Sequence, residues 1–216
     1  MKIVGIGYRK WALNIYGRLA ASPEHDVIII DSKERFEQID LHRFDADVIL
    51  FYGWSWLIPE ALLDKYFCVM LHPAPLPRYR GGSPIQNQIL AGEAESAVTL
   101  FRMNNRIDAG NILLQAPYSL AGTLDDIFER ISDTGLKLTT KLLRGEYREI
   151  IQDETEASYC KRRTPEQSEI TIEELLTKDG DYLYNKIRML MDPYPNAFIR
   201  TTDNKKIVLK LAELEE

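Results

Sequence analysis

Around His72 the chain reads LHPAPLPRYRGGSPIQ, and some thirty residues on it reads RIDAGNIL, closing at Gly110. This spacing sets a histidine at a strand end, a loop rich in proline and arginine behind it, and an Asp-Ala-Gly turn beyond. A histidine so placed is a candidate general acid or base, and an aspartate brought back to it would fix its tautomer and raise its basicity. Only two other histidines occur, His25 and His42, both in ordinary polar surroundings. The plain alternative for His72 is a strand-end ring satisfied by a backbone carbonyl, and the turn-rich loop beside it weighs against that.

These groups need a scaffold, and short apolar runs alternating with helical patterns supply it. Lys2–Ile6, Val27–Ile30, Val48–Phe51, Phe67–Leu71 and Val98–Met103 read as strands, apolar on both faces, as in a mainly parallel α/β sheet. Trp11, Ile15 and Leu19 recur every four residues and predict a crossover helix that ends at Ser22-Pro23. Ser83 as N-cap, Pro84 and Gly92 bound a second helix starting directly after RYRGG. Thr123 and Asp126 form a capping-box pattern before Leu124, Ile127, Phe128 and Ile131, in a helix predicted to stop at Gly145. Residues 1–150 are thus read as the main domain. Residues 151–216 form an extension packed on it, with a helix from about Asp181 to Met191, the turn DPYPN and a β-hairpin around Asp203-Asn204.

The chain has 216 residues, 45% of them hydrophobic, enough for a substantial core. Its net charge of −6 gives no overall attraction to a nucleic-acid backbone, so nucleic acid is not an expected partner. Cys68 and Cys160 lack metal-ligand spacing and need no disulfide framework, which fits a reducing cytoplasm without a bound metal. No apolar run reaches the roughly 18 residues of a membrane span, and no leader is evident at MKIVGIG, so neither targeting nor a membrane partner is expected.

Several segments carry two readings each. GIGYRKWA follows the first strand like a dinucleotide turn, with Asp31 placed for a ribose, but Lys10 stands where the third glycine belongs. A tight strand-to-helix turn explains the glycines better, while Arg9 and Lys10 there suit a phosphate of another ligand. Trp54 and Trp56 in YGWSWLIPE serve equally as a lid on the core or as walls of a pocket for a flat ring. PRYRGG and KRRTPEQS are either solvated loops or anion-recognition segments, with Arg162, Arg163 and Glu166 as candidate substrate contacts.

Together, MKIVGIG, YGWSWLIPE, LHPAPLPRYRGGSPIQ, AGEAESAVTLFRM, RIDAGNIL, KRRTPEQS and IRMLMDPYPNAF resemble the folate-dependent formyltransferase family over nearly the whole chain. The last two blocks look most like its sugar N-formyltransferase branch. The resemblance implies a Rossmann-like fold with helices on both faces of the sheet and a small helix-plus-hairpin extension. It further implies transfer of a formyl group from 10-formyltetrahydrofolate to a nucleotide-linked amino sugar, and leaves room for a homodimer.

Residue by residue, the resemblance makes His72 and Asp108 the catalytic pair. It puts Trp54, Ser55, Trp56, Leu57 and Ile58, with Asn104, Asn105, Arg106 and Ile107, around the folate. Tyr8, Arg9, Lys10, Trp11, Arg78, Tyr79, Arg80, Arg163 and Glu166 become the substrate contacts. Met70 departs from the family pattern, which carries asparagine two residues before its histidine. A thioether has no hydrogen to donate to an oxyanion, and losing one such donor typically costs about 10²–10³ in rate. The expectation is an enzyme that remains active, against a non-catalytic folate or nucleotide-sugar binder. Methionyl-tRNA formylation is disfavoured by the acidic balance and by a tail short for a complete RNA-gripping barrel.

Overall fold

The computed structural model describes residues 1–192 and 194–215, and of His42 only the backbone. The elements run β1 (Lys2–Ile6), α1 (Lys10–Ala20), β2 (Asp26–Ile30), α2 (Lys33–Gln38), β3 (Val48–Tyr52), α3 (Glu60–Lys65), β4 (Cys68–His72), β5 (Arg80–Gly81) and α4 (Pro84–Leu90). They continue with β6 (Glu95–Arg102), β7 (Ile112–Ser119), α5 (Leu124–Leu143), β8 (Tyr159–Cys160), α6 (Ile172–Thr177), α7 (Gly180–Arg188), β9 (Ala197–Arg200) and β10 (Lys206–Leu209).

Six strands form the central sheet in the order β2-β1-β3-β4-β6-β7. The first four are parallel and β6 and β7 add antiparallel. All five residues of β3 are buried, because helices cover both faces of the sheet and no position can be polar. On one face Leu50, Tyr52, Val69 and Leu71 pack with Trp11, Ile15 and Leu19 of α1 and Ile127 and Ile131 of α5. On the other, Ile49, Phe51 and Cys68 pack with Phe36, Leu62 and Leu63. The strand order reverses direction between β1 and β3, so the carboxyl ends of β1, β3 and β4 frame a crevice.

The sequence reading needs several corrections. The fourth strand reaches His72, the strand expected at Val98–Met103 runs from Glu95 to Arg102, and the late helix spans 180–188 rather than reaching Met191. Strand β7 went unread because one of its faces is solvent-exposed and Gln115 and Pro117 break its apolar run. Ser83 stands at the N-cap of α4 but does not cap it; its φ is 50°, and its hydroxyl accepts instead from the backbone N–H of Arg163 at 3.1 Å. Thr123 and Asp126 do close a capping box, and Gly145 adopts φ 74° just past α5. Pro193 of the DPYPN turn lies outside the described residues.

The extension shares the main core through Ile170, Met189, Leu190 and Ala197. It is also stitched to the sheet side by β5 pairing with β8, and by Arg188 Nη1 donating to the carbonyls of Leu120 at 2.6 Å and Gly122 at 3.1 Å. Among the described residues no helix is long and apolar enough to cross a membrane, and no group of His, Cys, Asp and Glu is arranged to hold a metal ion.

Gly7 sets the entrance to the crevice. A Cβ there would lie 1.8 Å from the Tyr52 carbonyl oxygen, a backbone atom that cannot rotate away. Gly7→Ala is therefore expected to lower stability by about 3 kcal/mol or more. Gly17, inside α1 with nothing within 4 Å of a built Cβ, is the control. Gly17→Ala is expected to raise stability by about 0.5–1 kcal/mol, and urea denaturation of both variants reads the difference.

Candidate active site

The crevice opens into a cavity of about 640 Å³, within the range of small-ligand sites. His72, the last residue of β4, lines it with Asp108, their side chains 6% and 10% exposed. His72 Nε2 lies 2.8 Å from the Tyr79 carbonyl oxygen. A carbonyl only accepts, so Nε2 carries the hydrogen and Nδ1 is the basic nitrogen of the neutral ring. Nδ1 is 3.6 Å from Asp108 Oδ2, too far for a hydrogen bond. The tautomer is thus set by the Tyr79 carbonyl and not, as expected, by Asp108.

The PRYRGG loop holds both members of the pair. Tyr79 has φ 61°, a strained value for a residue with a side chain. Its N–H donates to Ser158 Oγ at 2.9 Å and its hydroxyl donates to Glu93 at 2.7 Å, so the carbonyl facing His72 is fixed from two sides. Burial, together with Glu93, pushes that hydroxyl up to about 12. Gly81 N–H donates to Asp108 Oδ2 at 2.8 Å. Asp108 itself adopts φ 50°, and its carbonyl accepts from Gln152 Nε2 at 2.9 Å.

Arg80 corrects a sequence expectation. The family resemblance makes it a substrate contact, yet it is fully buried. Its Nε and Nη2 donate to Gln152 Oε1 at 3.0 and 2.9 Å, and its Nη1 donates to Glu154 at 3.0 Å and to the Tyr159 hydroxyl at 2.9 Å. The guanidinium ties the loop carrying Tyr79 and Gly81 to the extension, and through Gln152 to Asp108.

The cavity is walled by Trp54, Ser55, Trp56, Leu57, Ile58, Met70, Phe101, Met103 and the run Asn104, Asn105, Arg106 and Ile107. Trp54 and Trp56 meet edge to face at 4.7 Å, and Trp54 Nε1 is buried without a hydrogen-bond partner. Ser55 Oγ accepts from the Tyr8 hydroxyl at 2.8 Å, so Tyr8 braces this wall from behind. Arg106 pairs with Glu154 at 3.0 Å. Arg9, Trp11, Ile85, Gln86, Arg162, Arg163 and Tyr194 line it as well. The Arg9 guanidinium lies over the rings of Tyr8 at 4.9 Å and Tyr194 at 5.1 Å.

Tyr8, Lys10, Arg78, Tyr79 and Glu166, expected as substrate contacts, do not line the cavity. Lys10 is exposed at the first turn of α1, Arg78 lies 3.9 Å from Glu93, and Glu166 is exposed on the turn Pro165–Ser168. Asp31 forms an ion pair with Arg35 at 2.9 Å. Gln86, Gln152 and Tyr194 were not singled out from sequence: a glutamine on a helix face and a tyrosine in a turn carry no signal of their own.

Comparison with known proteins places this geometry. Residues 31–144, more than half of the chain, match the Formyl transferase family. A methionyl-tRNA formyltransferase of Halalkalibacterium halodurans is 32% identical over 186 residues, covering 81% of this chain; the chain spans only 57% of that relative's length. A solved methionyl-tRNA formyltransferase from Clostridium thermocellum superposes with a TM-score of 0.85 at 30% identity over 96% of both chains. A 4-N formyltransferase from Francisella tularensis superposes with a TM-score of 0.79 over 100% of this chain and 98% of its own, and at 18% identity it speaks for the fold alone. By the family match and the identity of these relatives, the chain belongs to the formyl transferase family.

Proposed function

We propose that this protein transfers the formyl group of 10-formyltetrahydrofolate to the amine of a nucleotide-linked amino sugar. The observation that carries this reading is that the His72–Asp108 pair lines one cavity together with tryptophans and arginines. The tryptophans suit a flat heteroaromatic ring, and the unpartnered Trp54 Nε1 offers it a donor. Arg9 and Arg163 suit a phosphorylated acceptor, and the chain's net charge of −6 does not favour a polyanion.

Bound folate would supply the formyl carbon. As the acceptor amine adds to that carbon, it must lose a proton, the formyl oxygen gains negative charge, and the folate nitrogen must be protonated to leave. His72 Nδ1 is the free base for the amine proton, and Asp108 steadies the imidazolium that results. The returned proton goes to the leaving nitrogen. Met70 contributes no donor at the oxygen, and its strand neighbours Phe51 and Phe101 add none. Met70→Asn is expected to raise kcat about tenfold, a part of the 10²–10³ that such a donor is typically worth. Steady-state kinetics with the folate at saturation checks this, and an unchanged kcat would mean that another donor already serves the oxygen.

A second reading, formylation of methionyl-tRNA, is favoured by the sequence relatives that carry that name. One screen separates the two. UDP- and dTDP-linked amino sugars and methionyl-tRNA are each incubated with 10-formyltetrahydrofolate, and mass spectrometry reads the formyl adduct. An adduct on methionyl-tRNA and on no sugar would overturn the proposal.

A further inference from the structure

Helix α4 carries two buried glutamines with opposite fates. Gln88 is fully buried and satisfied: its Nε2 donates to the carbonyls of Pro73 at 3.0 Å and Pro84 at 2.9 Å, and its Oε1 accepts from Ser96 at 2.6 Å. Gln86 is 2% exposed and lines the cavity, yet its Nε2 has no hydrogen-bond partner. Burying an amide N–H unpaired is unfavourable, and where a glutamine is only structural this fold pairs it. The unpaired amide is therefore held open for something that enters the cavity.

A second orphan stands nearby. Arg163 also lines the cavity, and its backbone N–H donates to Ser83, the residue that opens α4. Its Nη2 donates to the Gln167 carbonyl at 2.8 Å, but its Nε is buried and unpartnered. Burial also lowers the affinity of this guanidinium for its proton, a penalty that a bound anion relieves. Among the described residues neither Arg163 nor Arg9, which also lines the cavity, forms an ion pair with a carboxylate. Both bring positive charge to the cavity.

We infer that Gln86 Nε2 and Arg163 Nε serve as a two-donor subsite for the phosphate of the acceptor. The inference rests on the proposed acceptor. It adds a neutral amide that reads the oxygen's position alongside the arginine that supplies charge. The phosphate belongs either to the diphosphate of a nucleotide sugar or to the 3′ end of a tRNA.

Calorimetry on the full chain distinguishes these, with UDP and dTDP as one pair of probes, the trinucleotide CCA as another, and tetrahydrofolate as control. Gln86→Met keeps the side chain's length and removes the donor. It is expected to weaken UDP or dTDP about tenfold, to leave tetrahydrofolate unchanged, and to raise the Tm of the ligand-free protein, since an unpaired buried amide is gone. Arg163→Met should weaken the same probes further. Equal diphosphate binding by wild type and Gln86→Met overturns the subsite, as does a parallel loss of tetrahydrofolate or a fall in Tm, which would reveal a structural role for the amide. Binding of CCA alone, weakened by Gln86→Met, upholds the subsite and overturns the sugar reading. Failure of the wild type to bind either probe overturns the subsite even if folate binds.

Discussion

Replacing His72 by asparagine is expected to slow formyl transfer about 10³-fold while tetrahydrofolate binds as before. The amide preserves a donor toward the Tyr79 carbonyl, which the ring now occupies at 2.8 Å, so the loop should stay in place. What it removes is the basic nitrogen facing Asp108. General acid–base catalysis by a positioned side chain is worth roughly 10²–10⁴, and among the described residues His72 is the one histidine lining the cavity. Asp108→Asn should cost less, about 10²-fold. It keeps an oxygen for the Gly81 N–H but withdraws the negative charge 3.6 Å from Nδ1. Single-turnover rates with tetrahydrofolate affinity measured alongside separate chemistry from binding. A wild type no faster than His72→Asn would assign the chain to the non-catalytic binders that Met70 first suggested.

The parts of this site visible in the sequence are those marked by residue type and strand pattern. His72 could be found because buried parallel strands read as apolar runs, so a histidine ending one stands at the crevice. The aromatic wall was equally visible, since Trp54 and Trp56 follow the third strand. What the sequence concealed was decided by backbone atoms and distant partners. Tyr79 acts through its carbonyl, to which any residue type could contribute. Arg78 and Arg80 are alike in PRYRGG, and only Gln152, Glu154 and Tyr159, some seventy residues later, determine that one is buried and the other is not. Gln86 and Gln88 share a helix seven residues long, and whether each finds a partner depends on Pro73 and Ser96. Helix periodicity carries no trace of that difference.

Arg80 is where stability and activity should fail together. Its guanidinium donates to Gln152, whose own Nε2 donates to the carbonyls of Asp108 at 2.9 Å and Gly110 at 2.7 Å. Arg80→Met leaves the Gln152 oxygen buried without a donor and frees the amide to turn away from Asp108. Glu154, half exposed, can find water, so the loss comes from the amide and from packing rather than from a stranded charge. A loss of about 3 kcal/mol follows from an unsatisfied buried polar group plus imperfect filling, which for a chain of this size lowers Tm by roughly 6–12 °C. Catalysis should fall by about 10²-fold at a temperature where the variant remains folded, because Asp108, at φ 50°, loses the bond that holds its backbone there. Arg80→Lys tests geometry against charge: an ammonium cannot span Gln152, Glu154 and Tyr159 at once, so it should recover little of either property. A Gln152→Leu variant should reproduce the loss of kcat without changing the affinity for tetrahydrofolate. If Arg80→Met kept the wild-type kcat despite a lowered Tm, Arg80 would be a strut of the fold alone, and the position of Asp108 would depend only on the Gly81 N–H.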